Sequence, residues 1–372
     1  MINIEHLNER SLFAAFILFL AAMLFTGLYP FNFFPPNRVR WIPKEPGLYF
    51  DGAGIAYTNR SESISLKKSA SIELLLKERS GSKNWGPKEI FSFYDGASSP
   101  SLLVGQWGRR IFIYSRFEKN EGHEWYSLFS TQQPFPRGTA HLITVTFDEN
   151  EKAIFIDGQL NNKKNVELNE KDHIEFSGRL LLGNSPVAKN GWWGEIKGLA
   201  LYNRILSSHE ILMHGKEVFQ KGMSGLAETP GCLALYPFDE GQGNTAKSIL
   251  GKPRHFSIPV SLSAFGLTMF SLPYKNMRFH GYDKADFIEN ILFFFPFGIL
   301  LTAIIKKKYV IGYFTIFLIV IVAGGLLSCI IESFQLFLPT RYAGIVDVFS
   351  NMLGSGFGMM VTIIMLKYKN FL

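Results

Sequence analysis

The chain contains little cysteine, and three long stretches of it contain no charged residue. The two cysteines among its 372 residues, Cys232 and Cys329, exclude a disulfide framework and a Cys-rich zinc module, and both are predicted to be free. Asp, Glu, Lys, Arg and His are missing from residues 11–37, 309–331 and 348–366. Because a bilayer core of about 30 Å needs roughly 20 apolar residues per helix, these runs predict membrane-spanning helices.

The sequence also lacks the marks of a nucleic-acid-binding protein. Its formal net charge is +7, but its Lys and Arg residues form no stripe with interleaved aromatic residues and no recognition-helix pattern. We therefore predict no nucleic acid partner. Membrane topology explains the positive charge better.

Four membrane spans are predicted, at about 11–29, 287–305, 309–331 and 345–366. The first continues into Tyr29-Pro30-Phe31 without a small-residue cleavage site, which favours an uncleaved anchor over a signal peptide. With four spans, both termini lie on the same side.

Lysines set the predicted orientation. Lys306 to Lys308 form the hairpin between spans two and three, and Lys367 and Lys369 follow span four, so the positive-inside rule puts both in the cytoplasm. Residues 38–282 are then extracytoplasmic, on a bacterial cytoplasmic membrane. The uncharged stretch 256–274 is interpreted as a strand or an interfacial segment, since a fifth span would put the lysine hairpin outside.

Between the first and second spans, short runs with strand character alternate with turn residues. The clearest runs are 71–77, 110–114, 142–147, 153–156 and 199–202. Asp148-Glu149-Asn150 and Asp157-Gly158 are turn signals at hairpin positions. Many short strands at this spacing predict an all-β antiparallel sandwich.

Four pieces of this region occur in a familiar order: Phe50-Asp51-Gly52, the strand at 71–77, HLITVTFDENEKAIFIDGQL at 141–160 and GEIKGLALYNRILSSHEI at 194–211. In that order they resemble laminin G-like domains of the concanavalin A-like lectin/glucanase superfamily. The resemblance implies a jelly roll of two stacked sheets. LYPFDEGQG at 235–243 looks like the opening strand of such domains but stands at the end here, which leaves the strand order open.

Binding is a better prediction for this domain than catalysis. Glucanases of this fold use paired acidic residues that alternate along one strand, and no Glu-x-Asp-x-x-Glu strand is present. The glycine-rich stretch at 241–247 lacks the strand and helix context of a phosphate loop and is interpreted as a turn. The candidates for carbohydrate binding are the tryptophans Trp85, Trp107, Trp192 and Trp193.

The alternative for any one of these tryptophans is a place in the core or in edge packing. Trp192 and Trp193 are adjacent, so at most one of them can point into the core if the segment is a strand. The laminin G-like resemblance also implies calcium, to which Asp51 and Asp95 would contribute, although Lys197-Gly198 replaces the usual acidic pair of the family. No other cofactor is predicted.

Polar residues placed in or against the spans suggest a functional site, because a charge in the membrane costs a few kcal/mol on insertion scales. Pairs of them are spaced i,i+4 in spans two and four and i,i+3 in span three, so each pair shares one helix face, at the same end of the three spans. One more, Arg341, lies in the loop before span four. Helix capping would explain Asp286 and Asp347, but not the others. The predicted membrane polar cluster consists of Asp286, Asn290, Glu332, Gln335, Arg341, Asp347 and Asn351.

The spacing of this cluster, with Pro296-Phe297-Gly298 after Asn290 and with Gly354 and Gly358 in span four, resembles the VanZ-like membrane domain over residues 283–366. The resemblance implies a four-helix unit with the lectin-like domain inserted after its first helix. Residues 1–37 would hold that helix, 38–275 the inserted domain and 276–372 the other three helices. The family is associated with bacterial envelopes and with glycopeptide (teicoplanin) resistance.

Three functional hypotheses remain open, each with membrane lipid as a partner. The first is a non-enzymatic envelope protein whose outer domain binds a saccharide or surface glycopolymer. The second is a membrane enzyme or carrier for a lipid-linked saccharide, with Glu332 or Asp347 as proton acceptor and Arg341 on a phosphate. The third is a structural partner in an envelope complex. The sequence indicates no oligomeric state.

Overall fold

The computed structural model describes residues 8–67, 69–79, 86–96, 100–119, 123–166, 175–250, 254–262, 281–338 and 344–369. The chain divides into two compact units. One is Pro35–Gly266, and the other combines Met1–Phe34 with Leu267–Leu372.

The elements, in chain order, belong to a β-rich unit and a helical unit. The strands are β1 (Arg40–Trp41), β2 (Leu48–Asp51), β3 (Ala56–Thr58), β4 (Ile64–Lys67), β5 (Ala70–Glu78), β6 (Lys88–Tyr94), β7 (Leu102–Trp107), β8 (Arg110–Lys119), β9 (His123–Ser130), β10 (His141–Phe147), β11 (Glu151–Ile156), β12 (Gln159–Asn165), β13 (Glu175–Leu182), β14 (Trp193–Tyr202), β15 (Cys232–Tyr236), β16 (Thr245–Lys247) and β17 (His255–Ser257). The helices are α1 (Glu9–Leu28), α2 (Ser208–Lys221), α3 (Gly281–Lys308), α4 (Tyr313–Gln335) and α5 (Ile345–Lys369).

The described strands form two antiparallel sheets. The first sheet has the order β1-β2-β14-β5-β10-β11-β12, with β15 also paired to β14. The second has the order β16-β17-β3-β13-β6-β7-β8-β9, with β4 beside β13. Their inner faces share one hydrophobic core, so the predicted jelly-roll sandwich is confirmed.

Strand β5 shows why the sandwich has a covered outer face as well as a core. Ile72, Leu74 and Leu76 point into the core between the sheets. Leu75 points to the other side, into a second cluster that includes residues of α2. Since both faces are covered, β5 is buried along nearly its whole length, including the polar residues Ser71 and Glu73.

Each of the five strand runs predicted from the sequence lies within an observed strand. The 235–243 segment supplies the end of β15, whose Tyr236 pairs with Leu199 of β14. In the uncharged stretch 256–274, Phe256 and Ser257 belong to β17, and residues 263–274 lie outside the described part of the chain. In the glycine-rich turn, Gly241 and Gly243 both have positive φ.

Four of the described helices are long and apolar enough to span a membrane: Glu9–Leu28, Ala285–Lys308, Tyr313–Gln335 and Ile345–Lys367. Helix α4 begins four residues later than the predicted span and continues past Ile331, because the prediction ended that span before the first charged residue. The helical hydrogen bonds nevertheless continue through Glu332. A charged residue in the last turn therefore belongs to the helix.

Small residues let α3 and α5 approach closely. A Cβ atom at Gly354 would collide with the carbonyl oxygen of Ile291 in α3, and one at Gly358 would collide with that of Phe295. Glycine at these two positions therefore permits contact between the two backbones, as in other tightly packed membrane helices.

Candidate functional site

An aromatic cleft of about 400 Å³ lies on the outer face of the second sheet. Its floor comes from neighbouring strands, on which Leu103 pairs with Tyr114 and Tyr114 with Leu128. Trp107 stands on the same face of β7 and is 55% exposed. Its neighbour Gln106 points into the core, as strand alternation requires. The cleft therefore offers flat apolar faces to a ligand.

One wall of this cleft is the loop 184–190, which is held to the sheet through Glu89. The backbone N–H of Glu89 donates to the carbonyl oxygen of Asn190 at 2.8 Å, and Asn190 Nδ2 donates to Glu89 Oε1 at 3.0 Å. Asn184 Oδ1 accepts from the N–H groups of Ser185 and Asn190, which organises the loop itself. Ser185, Pro186, Val187 and Asn190 all line the cleft.

Glu89 is the buried carboxyl of this cleft. It is 6% exposed, and its Oε2 atom has no hydrogen-bond partner among the described residues. Burial raises the pKa of Glu89 to about 7, and the hydrogen bond from Asn190 opposes that rise. Of the described residues that line the cleft, Glu89 is the one carboxylic acid.

The side chains of the adjacent tryptophans point to opposite sides, as predicted for a strand, but the Trp192 ring is not exposed to a ligand. Its ring is 1% exposed, and its Nε1 donates to Gln106 Oε1 at 2.7 Å inside the core. The prediction that Trp192 faces a ligand is therefore corrected, because the indole fills the space between the sheets. Trp193 is half-buried and lies on the opposite side of β14. The fourth candidate, Trp85, lies outside the described part of the chain.

Trp193 belongs to a charged surface on the outer face of the first sheet. Trp193 pairs with Asp51 of β2. Tyr49, also in β2, lies under the guanidinium groups of Arg40 and Arg79, which are 5.4 and 5.6 Å from the centroid of its ring. Glu195, two residues after Trp193, accepts from Arg79 Nε at 2.6 Å. This second surface is more highly charged than the cleft.

The two aspartates predicted for calcium are held by arginines. Asp51 Oδ2 lies 3.7 Å from Arg38 and 3.9 Å from Arg40, and Asp95 forms an ion pair with Arg116. Within the residues that the structure describes, no group of three or more His, Cys, Asp or Glu residues could hold a metal ion. The geometry lends these aspartates no support as ligands.

In the helical unit, side chains of the predicted cluster join α3, α4 and α5. Asn290 Nδ2 of α3 donates to Asp347 Oδ1 of α5 at 2.8 Å. Glu332 Oε2 of α4 accepts from the backbone N–H of Gly344, just before α5, at 2.9 Å. Asp347 is also close enough to Glu332 and to Asp286 to interact with them electrostatically. Asn290 and Asp347 are therefore in direct contact, and Glu332 holds the segment just before α5.

The other three predicted residues differ in their surroundings. Asn351 Nδ2 donates to Ser328 Oγ at 2.8 Å one turn deeper, where both residues are buried and Asn351 Oδ1 has no hydrogen-bond partner among the described residues. Gln335 Nε2 instead donates to the carbonyl oxygen of Gly27 in α1 at 2.8 Å. Arg341 lies outside the described residues.

Two family models match separate parts of the chain. Residues 51–212 match the family model described as the concanavalin A-like lectin/glucanases superfamily, and residues 233–366 match VanZ/LLP1. The chain combines a VanZ-like membrane unit with a concanavalin A-like domain. The VanZ/LLP1 match begins within β15, so it also includes the last strands of the sandwich. No curated protein matches the chain.

Solved structures resemble the chain only loosely. The binding domain of botulinum neurotoxin DC in complex with rat synaptotagmin II is 14% identical, with 49% of this chain and 46% of that chain covered and a TM-score of 0.35. A protein of Bacteroides ovatus to which carbohydrate binding is ascribed is 9% identical, with 59% of this chain and 61% of that chain covered and a TM-score of 0.40. The chain thus spans 46 to 61% of the length of these structures, and TM-scores this low do not indicate what it binds.

Sequence reasoning identified Trp107 but missed the rest of the cleft. Glu89, Tyr114, Leu128 and Asn190 come from three strands and a loop, and no short motif joins them. One signal was present: Glu89 follows Lys88 at the start of β6, whose remaining residues are apolar or aromatic except for Ser92. A carboxyl in a buried strand needs a partner, and that requirement points to a site.

Proposed function

We propose that this protein is a membrane-anchored, saccharide-binding protein of the bacterial cell envelope, and that its concanavalin A-like domain binds the saccharide in the aromatic cleft. The observation that carries the proposal is the exposed Trp107 ring beside a polar group, Glu89, in a cleft of about 400 Å³. Ligand sites commonly combine apolar walls with a few placed polar groups. Aromatic faces pack on sugar rings, and a carboxyl accepts hydrogen bonds from hydroxyl groups.

The same cleft favours binding over hydrolysis. Glycosidases that use two carboxyl groups place them on either side of the scissile bond. Among the described lining residues Glu89 has no second carboxyl to act with it. We therefore infer a binding module that holds a saccharide or surface glycopolymer without cleaving it. If the ligand is a cell-wall saccharide, the proposal includes a role in glycopeptide resistance of the teicoplanin type.

Replacing Trp107 with alanine is expected to weaken saccharide binding by tenfold or more, about 1.4 kcal/mol, because the main stacking surface is lost. The full-length protein in detergent would first be screened on a glycan array, and the best ligand would then be titrated calorimetrically. Phe219→Ala removes another exposed aromatic ring, 51% exposed on α2, and should leave the affinity unchanged. Equal affinities for wild type and Trp107→Ala would reject the cleft as the site.

The proposal includes an orientation in which both termini are cytoplasmic and residues 38–282 are outside. It is supported by the lysines at the end of α3, Lys306 to Lys308, and by Lys367 near the end of α5. In this orientation the cleft meets extracellular saccharides. The linked ends of α3, α4 and α5 then lie at the outer leaflet.

Single-cysteine labelling in intact cells would test this orientation. In a background without Cys232 and Cys329, a membrane-impermeant maleimide should label cysteines placed at positions 150 and 286. It should label position 307 only after permeabilisation. Labelling of position 307, but not of position 150, in intact cells is the result that would reverse the topology.

A second candidate function is a membrane enzyme or carrier that acts on a lipid-linked saccharide at the outer leaflet. The contacts of Asn290 with Asp347 and of Glu332 with Gly344 favour it, because they bring polar groups of three elements together in an apolar unit. In this candidate Glu332 or Asp347 accepts a proton and Arg341 binds a phosphate. The same labelling experiment bears on it, since a site open to the outer leaflet requires position 286 to react from outside.

A further inference from the structure

We propose that the aromatic cleft is selective for an amino sugar, with the carboxylate of Glu89 as the partner of the sugar's ammonium group. The inference rests on the proposed saccharide binding in this cleft, to which it adds the chemical class of the ligand. It is carried by the position of Glu89, a buried carboxyl among the aromatic residues that line the cleft, with one oxygen unpartnered within the described part of the chain.

Three other buried or half-buried carboxylates of the sandwich have an arginine partner, and Glu73 lies 3.0 Å from His214. Glu195 pairs with Arg79, Glu78 with Arg137 at 2.9 Å, and Glu210 with Arg204. Glu240, which does not line the cleft, also has an oxygen without a hydrogen-bond partner among the described residues. Glu89 has one neutral donor, the amide of Asn190, and forms no ion pair with any described residue. An ionised carboxylate that is buried without a cation is costly, and a partner supplied by a ligand would remove that cost.

The walls of the cleft suit the same ligand. An ammonium group is attracted to the face of an aromatic ring, most strongly to tryptophan, and Trp107 stands at this cleft together with Phe112 and Tyr114. The flat face of the sugar ring packs on aromatic surface at the same time. A neutral saccharide would use the rings but would leave the Glu89 carboxyl without a charge partner, so charge complementarity selects the amino sugar.

Three other titratable groups near Glu89 are a tyrosine, Tyr94, and two lysines, Lys88 and Lys189. The pKa of Tyr94 is raised, chiefly by burial, so this side chain is a neutral phenol at neutral pH. Burial lowers the pKa of Lys189, next to Asn190, to about 8, and it also lowers that of Lys88. Glu89 is thus the acidic group on which recognition of a cation in this cleft depends.

The test compares two oligosaccharides of equal length, a glucosamine oligomer and its fully N-acetylated form, by calorimetric titration of the full-length protein in detergent at neutral pH. Acetylation removes the charge and keeps the sugar ring. We expect the glucosamine oligomer to bind at least tenfold more tightly. Equal or tighter binding of the acetylated oligomer overturns the amino-sugar inference and leaves saccharide binding intact. Failure of both oligomers and of every glycan on the array overturns both proposals.

Glu89→Gln separates the charge from the shape of the site. Its carbonyl oxygen can still accept from Asn190, so the loop 184–190 keeps its anchor. The variant should lose the tenfold preference and bind the acetylated oligomer within about twofold of wild type. Glu149→Gln, at an exposed turn, removes one negative charge elsewhere and should keep the preference. A preference that survives Glu89→Gln would show that Glu89 is not the partner. If Glu89→Gln fails to fold, the comparison of the two oligomers on the wild type still decides the inference.

Discussion

Trp192→Ala is expected to destabilise the concanavalin A-like domain by about 3–5 kcal/mol, the range for removing a large aromatic side chain from a core. The indole is 1% exposed and fills the space between the two sheets. Its loss also leaves Gln106 Oε1 without its buried donor, which adds a desolvation cost. For a domain of this size the melting temperature should fall by on the order of 10 °C.

The neighbouring residue supplies the matched control for this experiment. Trp193→Ala removes the same side chain from a half-buried position on the other side of β14, and it should cost less than about 2 kcal/mol. Thermal unfolding of the purified full-length variants, with limited proteolysis to follow the sandwich separately, would measure both. If the two variants lose equal stability, the core position of Trp192 is wrong.

Gly354→Ala is expected to disrupt the packing of α3 against α5 in the VanZ-like unit. The added Cβ would collide with the carbonyl oxygen of Ile291, and a backbone atom cannot escape by changing rotamer. Overpacking typically costs about 1–3 kcal/mol, which outweighs the helix-propensity gain of roughly 1 kcal/mol for this substitution. We expect a lower melting temperature, a smaller monodisperse fraction after extraction and a reduced yield.

Gly356→Ala is the control in the same helix. There the Cβ would meet the end of the Ile321 side chain at 3.1 Å, which can move, so the gain in helix propensity should offset the contact. Thermostability in detergent and size-exclusion profiles of both variants would be compared. A Gly354→Ala variant as stable as Gly356→Ala would mean that α3 and α5 do not approach as closely as described.

The membrane polar cluster could be predicted from the sequence only in part. The i,i+4 spacing of Asp286 with Asn290 and of Asp347 with Asn351 puts each pair on one helix face, and helix geometry guarantees this. Partners across helices are a different matter. That Asn290 contacts Asp347, while Gln335 contacts Gly27 of α1, depends on how the helices rotate against one another. Spacing along one helix carries no information about that rotation.

The class of each unit was predictable from local sequence patterns. Uncharged runs of helical length are a local property, and so is the spacing of short apolar runs between turn residues, which is why both the spans and the sandwich could be predicted. Alternation also required that Trp192 and Trp193 point to opposite sides. It could not say which one points inward, because the position of the other sheet is not encoded in that segment.

The aromatic cleft and the burial of Glu89 depend on long-range packing, which the sequence patterns do not reveal. The lining residues are spread from Pro87 to Asn190, and strand pairing brings them together over distances in sequence that no local pattern covers. The burial that raises the pKa of Glu89 likewise comes from the loop 184–190 packed against β6. Hydrophobic periodicity specifies which residues leave water, whereas long-range packing specifies which of them meet.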